Sequence, residues 1–411
     1  MLDGAFGAGT GRVLLTAAES VAIEVVEDTN GNLVVAGTIT EASGDIQVAV
    51  WRLLPSGALD NSFGSGGTTA IDVSVATPDG DSVVAVAIDA SGRILVTGTA
   101  DGTMGDRDIY VARFFTSGLV DTNFGTAGTG VIYAGNDDAM PHDDTAANLI
   151  IGPGNSIQVI GNSRETGTTM VGELATWRFL STGLLDPNFA TDGLFLSGAN
   201  GDRGAALLND LSGASYLIGS RAGALTIWRL DPDGVIDTTF AASGISTITA
   251  PAGSLAPLDS KIYDNISFVV VGQRAETGNA DRFFATRVFI DGTLETAFGN
   301  NGFLNFTSFS GNSGANSVSV AGSGQVIVAG DTTLRDAVTS VDSPAGALWL
   351  ITAAGAFDPN FAGTGVAHLS GLNDDATSAQ SVIVDSNNQL VVAGSVDIGS
   401  GTANAAVWRT P

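Results

Sequence analysis

Four carboxylates and one imidazole fall within eight residues of this chain: Asp137, Asp138, His142, Asp143 and Asp144. Oxygen-rich sets of this kind ligate hard divalent cations, and calcium is the candidate cofactor. The spacing is not that of an EF-hand loop. Asn-Asp-Asp recurs at 373–375, and Gly-Asp followed by Ser or Arg at 80–82 and 201–203. Brought together, these acids would ring a common opening, where a cation relieves their mutual repulsion. A wider set of charged residues sits in the same irregular segments: Glu41, Asp45, Asp79, Asp81, Asp101, Asp106, Arg107, Glu165, Asp202, Arg203, Asp374 and Asp375. These are the expected binding face.

Other chemistries find little support. The chain has no Cys, which excludes thiol nucleophiles, disulfides and thiolate metal sites. It has two His, His142 and His368, and the second lies in an apolar run (VAHLS) that reads as structural. No Ser stands in a Gly-x-Ser-x-Gly elbow and no phosphate-cradling glycine loop is present. A carboxylate pair acting on a glycoside remains open, because acids are plentiful and sequence does not measure their separation.

The elements that hold these residues repeat. A Leu-Asp-x-x-Phe-Gly-x-x-Gly motif recurs with its aromatic at Phe6, Phe63, Phe124, Phe189, Phe240, Phe298 and Phe361, at spacings of 57, 61, 65, 51, 58 and 63 residues. Before most copies stands a strand ending in Trp-Arg or its variant, and it accounts for all five Trp: Trp51, Trp177, Trp228, Trp349 and Trp408. Eight residues after Arg52, Arg113, Arg178, Arg229 and Arg287 comes an acid: Asp60, Asp121, Asp186, Asp237 and Glu295. A feature present in nearly every repeat belongs to the scaffold. The Arg is expected to lock the acidic loop, the Phe to plug the gap between neighbouring units, and the Trp to pack there too.

Each unit also carries two apolar runs joined by an Asp/Asn/Ser-Gly turn, as in VAIEVVEDTNGNLVVAGT, which reads as a hairpin. One unit is therefore four strands, near 20–28, 33–40, 45–54 and 67–73 in the first copy. Four-stranded units repeated at this period predict an all-β, seven-bladed β-propeller spanning 1–411 as a single domain. The chain ends at a Trp-Arg strand and starts inside the loop that should follow it. The N-terminal strand, near 11–15, is expected to complete the last blade and close the ring, which removes exposed edges.

These motifs resemble the delta-60 repeat, found in bacterial, mostly secreted or surface, β-propeller proteins. The resemblance covers the whole chain in seven copies. It implies an exported propeller, and the repeat carries no catalytic residues to transfer. Blades four (LLNDLSGASYLIG) and five (APLDSKIYDNISFVVVG) depart from the hairpin pattern.

Function is expected where repeats differ: the blade-to-blade loops (76–82, 134–145, 198–204, 371–378) and the loops between second and third strands (38–45, 99–108, 162–172, 273–281, 331–346). These emerge on one face, and variable loops on a rigid scaffold carry recognition. With 43 acidic against 16 basic residues and Lys261 as its lone lysine, the chain repels nucleic acid phosphates and anionic membranes. No apolar run approaches a membrane span, and no export signal precedes Leu2-Asp3. The expectation is a monomeric, extracellular or cell-surface module, excised from a larger protein, that binds a protein or glycan ligand without catalysis, assisted by calcium. The alternatives are a polysaccharide-acting enzyme with acids at the channel mouth, and a structural spacer.

Overall fold

The computed structural model describes residues 2–16, 18–74, 81–101, 106–125, 128–135, 142–165, 172–241, 243–275, 282–305, 313–335, 342–369, 376–397 and 402–411. Among them the regular structure is β, apart from two short 3-10 turns at Gly7–Gly9 and Pro153–Asn155. No helix is long and apolar enough to cross a membrane.

The strands run as antiparallel meanders of four. After β1 (Arg12–Leu14), the first meander is β2 (Ser20–Glu27), β3 (Leu33–Thr40), β4 (Ile46–Leu53) and β5 (Thr68–Ile71). The second is β6 (Ala85–Ile88), β7 (Ile94–Asp101), β8 (Arg107–Phe114) and β9 (Val131–Ala134). The third is β10 (His142–Ile151), β11 (Ile157–Glu165), β12 (Glu173–Phe179) and β13 (Leu194–Leu196). The fourth is β14 (Arg203–Asn209), β15 (Ser215–Arg221), β16 (Ala224–Leu230) and β17 (Ile245–Ile248). The fifth is β18 (Ser254–Asp264), β19 (Ser267–Ala275), β20 (Arg282–Phe289) and β21 (Phe303–Asn305). The sixth is β22 (Ser313–Val320), β23 (Val326–Arg335), β24 (Asp342–Ile351) and β25 (Val366–Leu369). Last come β26 (Thr377–Val384), β27 (Leu390–Asp397) and β28 (Ala403–Thr410), and the fourth place beside β28 is taken by β1. Arg12 faces Trp408, Val13 faces Val407 and Leu14 faces Ala406, at the register the repeat phase implies. Among the described residues a parallel bridge, Asp143 to Arg107, joins the second and third meanders into one eight-stranded sheet, and no sheet closes on itself.

The meanders stack face to face, and the first strand of each packs against the first strand of the next, with β26 against β2. Apolar side chains on both faces therefore meet neighbours. Trp51 is fully buried between β4 and the residues Phe6, Val391 and Val407 of the terminal meander. The other four Trp are fully buried in the same register.

The hairpins between first and second strands are set locally. The Asp28 carboxylate accepts N–H bonds from Asn30 and Asn32 (2.8 and 2.9 Å), and Asp89, Asp210 and Asp385 do the same for the residues two and four further on. A side chain that satisfies turn amides fixes the reversal. The two units that depart from the repeat keep their hairpins: β14–β15 turns on Asp210, and β18–β19 on Asp264, which accepts from Ile266 N–H (2.9 Å).

The loops are shorter than the sequence reading. Asp101, Arg107, Glu165 and Arg203, expected in connections, lie in strands, as do His142, Asp143 and Asp144. Cross-strand pairing carries each hairpin outward until pairing partners run out, and polarity alone does not mark that end.

Candidate functional site

The repeated Arg–acid pairs form a belt of locks. Arg52 Nε donates to Asp60 Oδ2 (2.8 Å), Arg113 Nε to Asp121 (2.9 Å), Arg178 Nε to Asp186 (2.9 Å), and Arg229 and Arg287 engage Asp237 and Glu295. Arg409 Nε reaches Asp3 Oδ2 (2.8 Å) across the two ends of the chain. The guanidinium then crosses to the next unit: Arg287 donates to Ala353 O (3.1 Å), Arg409 to Pro55 O (2.6 Å), and Arg52, Arg113 and Arg178 to Thr116, Ser181 and Pro232 carbonyls. Each of these five also lies over the Phe of its own motif; Arg178 sits 4.2 Å from the Phe189 centroid. In the sixth meander Leu350 replaces Arg, and Gln325 Nε2 holds Asp358 instead (2.7 Å). With both ends of the fork occupied, this series is spent on the scaffold.

The acids expected on the binding face divide in two. Glu41 is exposed and Asp45 half-buried on the β3–β4 turn. Asp101 and Asp143 each stand beside Arg107, His142 faces Glu165, and Asp143 pairs with Arg164, so this rim is a mesh of cross-strand charges. Asp81, Asp106, Asp144 and Asp202 are buried. Asp202 is held in a fork by Arg221 (2.7 and 2.6 Å), beside exposed Arg203. Asp81 accepts from Val73 N–H (3.1 Å); burial raises its pKa to about 6, with the Asp72 and Asp45 charges adding to the shift. Asp79, Asp137, Asp138, Asp374 and Asp375 lie outside the described residues. Among the described residues no three acid or His groups gather closely enough to hold a metal. Along a strand successive side chains point to opposite faces, so Asp143 is directed away from His142 and Asp144.

A different set of residues converges where the first strands meet. Nearly every first strand carries a β-bulge at the same height: at Ala22/Glu24, Ala146/Asn148, Gly204/Ala206, Pro257/Asp259, Ala315/Ser317 and Ala379/Ser381. A glycine of the second strand faces each bulge and makes it possible. A Cβ on Gly37 would stand 1.9 Å from Val21 O, and one on Gly330 1.9 Å from Gly314 O, so only glycine admits the bulged backbone. Bulges re-aim side chains, and here they line a central cavity of about 340 Å³ that includes Glu24, Asn148, Asp259, Asn316, Ser317, Gln380 and Ser381.

Part of this lining stitches one unit to the next. Val86 N–H donates to Glu24 Oε2 (2.6 Å), Val318 N–H to Asp259 Oδ2 (2.8 Å), Val382 N–H to Ser317 Oγ (3.3 Å) and Val25 N–H to Ser381 Oγ (3.3 Å). Protein surrounds both carboxylates although the cavity admits solvent to them. Burial raises the Glu24 pKa to about 7, against the Val86 bond and the Lys261 charge; burial raises that of Asp259 as well. Perturbed groups in a cavity mark a candidate site. They stand in strands, outside the polar loops where the sequence concentrates its charges. The signal was there: a lone charge inside the apolar run VAIEVV, and the sole lysine two residues after Asp259.

A sequence profile described as "Domain of unknown function (DUF5122) beta-propeller" matches residues 29–63, 90–124 and 216–240. Those segments support a bacterial β-propeller repeat. No functionally curated protein matches the chain. Among solved structures, a catalytically inactive virginiamycin B lyase from Staphylococcus aureus with quinupristin is similar over 97% of this chain and 98% of its own, at 9% identity and a TM-score of 0.54. An ulvan lyase of polysaccharide lyase family PL25 aligns over 96% and 95%, at 10% identity and a TM-score of 0.48. A PQQ-bound aldose sugar dehydrogenase from Streptomyces coelicolor aligns over 97% and 98%, at 11% and 0.41. At such identities the likeness concerns fold alone.

Proposed function

We propose that the chain is a seven-bladed propeller of delta-60 type, closed by β1, that serves as an exported, non-enzymatic recognition module. Its ligand, a glycan or a protein, is taken on the face where the blade-to-blade connections and the β3–β4-type turns emerge. The observation that carries this reading is the division of labour among charged groups. The Arg–acid belt is consumed by the scaffold, whereas exposed Glu41 and Arg203 stand on that face and Glu24 and Asn148 in the central cavity. Closure is supported by the β1–β28 ladder and by Arg409, which ties Asp3 and Pro55.

Binding is favoured over cleavage. Both Asp259 oxygens accept backbone N–H bonds, from Ser260 (2.7 Å) and Val318 (2.8 Å). Glycoside hydrolysis in its common form needs two carboxylates free to act, and in the cavity only Glu24 keeps an oxygen in none of the hydrogen bonds described. A glycan array run beside a reducing-sugar assay tests this: binding without release of reducing ends is expected, and release of reducing ends overturns it. Calcium is proposed at the acidic segment 137–144. A thermal melt with calcium and then with chelator should show a higher midpoint with the ion, because a ligand of the native state alone stabilises it; equal midpoints refute the ion.

A further inference from the structure

We infer that the central cavity is itself a binding site for one small, uncharged polyol, of monosaccharide size, distinct from whatever macromolecule the loop face takes. The inference rests on the hydrogen-bonding groups left over once the stitches are counted. Glu24 gives Oε2 to Val86 N–H, and its Oε1 is in no hydrogen bond among the described residues. The Asn148 side chain lines the same cavity and makes none among the described residues. Asn316 spends both amide hydrogens, on Asp331 Oδ2 and Ala379 O (2.9 Å each), so its carbonyl oxygen is left over. Gln380 uses its amide nitrogen on Ser378 Oγ (2.6 Å), and its oxygen likewise remains.

The remainder is a carboxylate oxygen, two amide oxygens and one whole amide on different strands around a single space. A hydroxyl donates one hydrogen bond and accepts others, so a ligand with hydroxyls on several sides satisfies such a ring. An apolar molecule would leave these groups desolvated and unpaired, at a cost for each. Charge argues the same way. Lys261 is in no ion pair among the described residues, and its charge acts on both Glu24 and Asp259. The lining holds two acids, and the Lys261 charge acts on both from outside that lining, so neither an anion nor a cation finds an uncontested partner. The volume, about 340 Å³, lies at the small end of ligand sites. The bulge residues Ile23 and Leu258 supply apolar surface for the C–H faces of a ring.

The test is titration calorimetry and saturation-transfer NMR with a panel of free monosaccharides (glucose, galactose, mannose and glucosamine) and with glycerol as the small control. At least one neutral sugar should bind, and Asn148→Ala should weaken it tenfold or more. The Asn148 side chain makes no hydrogen bond among the described residues, so this variant should keep the wild-type melting temperature. Glu24→Gln, which keeps a hydrogen-bonding oxygen for Val86, should weaken binding as well. Absence of binding by every sugar up to 100-fold molar excess, or binding that both variants leave intact, overturns the proposal. Sugar binding that Glu41→Ala abolishes and Asn148→Ala does not would place the site on the loop face and overturn it too. A charged preference, with glucosamine bound tenfold better than glucose, refutes the neutral ligand.

Discussion

The belt of Arg–acid locks and the bulged lining of the cavity are built from the same kinds of groups, yet differ in how far those groups are consumed. Arg113 lies 4% exposed, bonded to Asp121, stacked on Phe124 and donating across to Ser181 O. The side chain of Asn148, on a first strand lining the cavity, makes no hydrogen bond among the described residues. Repetition explains the contrast. The lock recurs because it lets most units grip the next, and a buried charge without its partner is costly. The lining is set by a bulge recurring in most units, but its side chains vary from unit to unit: Glu24, Asn148, Asp259, Ser317, Ser381. Geometry is common and chemistry individual, which is how a scaffold carries a site.

The contrast breaks most visibly at Arg113→Ala. It strands the Asp121 carboxylate, 2% exposed, and should lower unfolding stability by about 3–5 kcal/mol in urea titration. A loss under about 1 kcal/mol would mean the belt is ornament. Gly330→Ala attacks the bulge rather than the lock. The added methyl meets Gly314 O, and overpacking of this sort costs about 1–3 kcal/mol; full stability would show that the bulge tolerates a side chain.

Glu24→Gln sharpens the lining half of the contrast through pH. The folded pKa is about 7 against 4.5 for the ordinary carboxyl, so the native state holds its proton more tightly than the unfolded chain. Wild-type stability from this group is therefore full below pH 4.5 and declines as pH rises to 7. The decline should be on the order of 2 kcal/mol, less than the shift alone implies because solvent reaches the cavity. The difference between wild type and Glu24→Gln, followed as urea midpoint at several pH values, should change across that window and be flat above it. A constant difference would place Glu24 in ordinary solvent. The smallest effect belongs to the rim. Asp143→Ala removes a pair whose Arg164 is 46% exposed and should change stability by less than about 0.5 kcal/mol. A loss comparable to that of Arg113→Ala would make the rim part of the scaffold.

Repetition made the architecture legible. The Phe motif, the Asp-turn hairpins and the eight-residue Arg–acid spacing are local signals repeated along the chain, and each found its place: strands at Ser20–Glu27 and Leu33–Thr40, locks from Arg52 to Arg409, Trp in the core. The strand expected near 11–15 is β1, and it lies beside β28, with Arg12 opposite Trp408. The candidate site was legible only in part. Polarity suggested that 142–144 is loop, whereas pairing of His142 with Glu165 draws it into a strand. Asp202 and Asp81 looked like surface acids and are buried. Glu24 and Asp259 are far apart in sequence, and nothing local says that they share a cavity. Sequence by itself determined the unit, its turns and its locks, since those depend on residues a few positions apart. Only the tertiary arrangement decided which polar groups meet at the centre and which remain unspent, because that depends on bulges from six strands brought to one height.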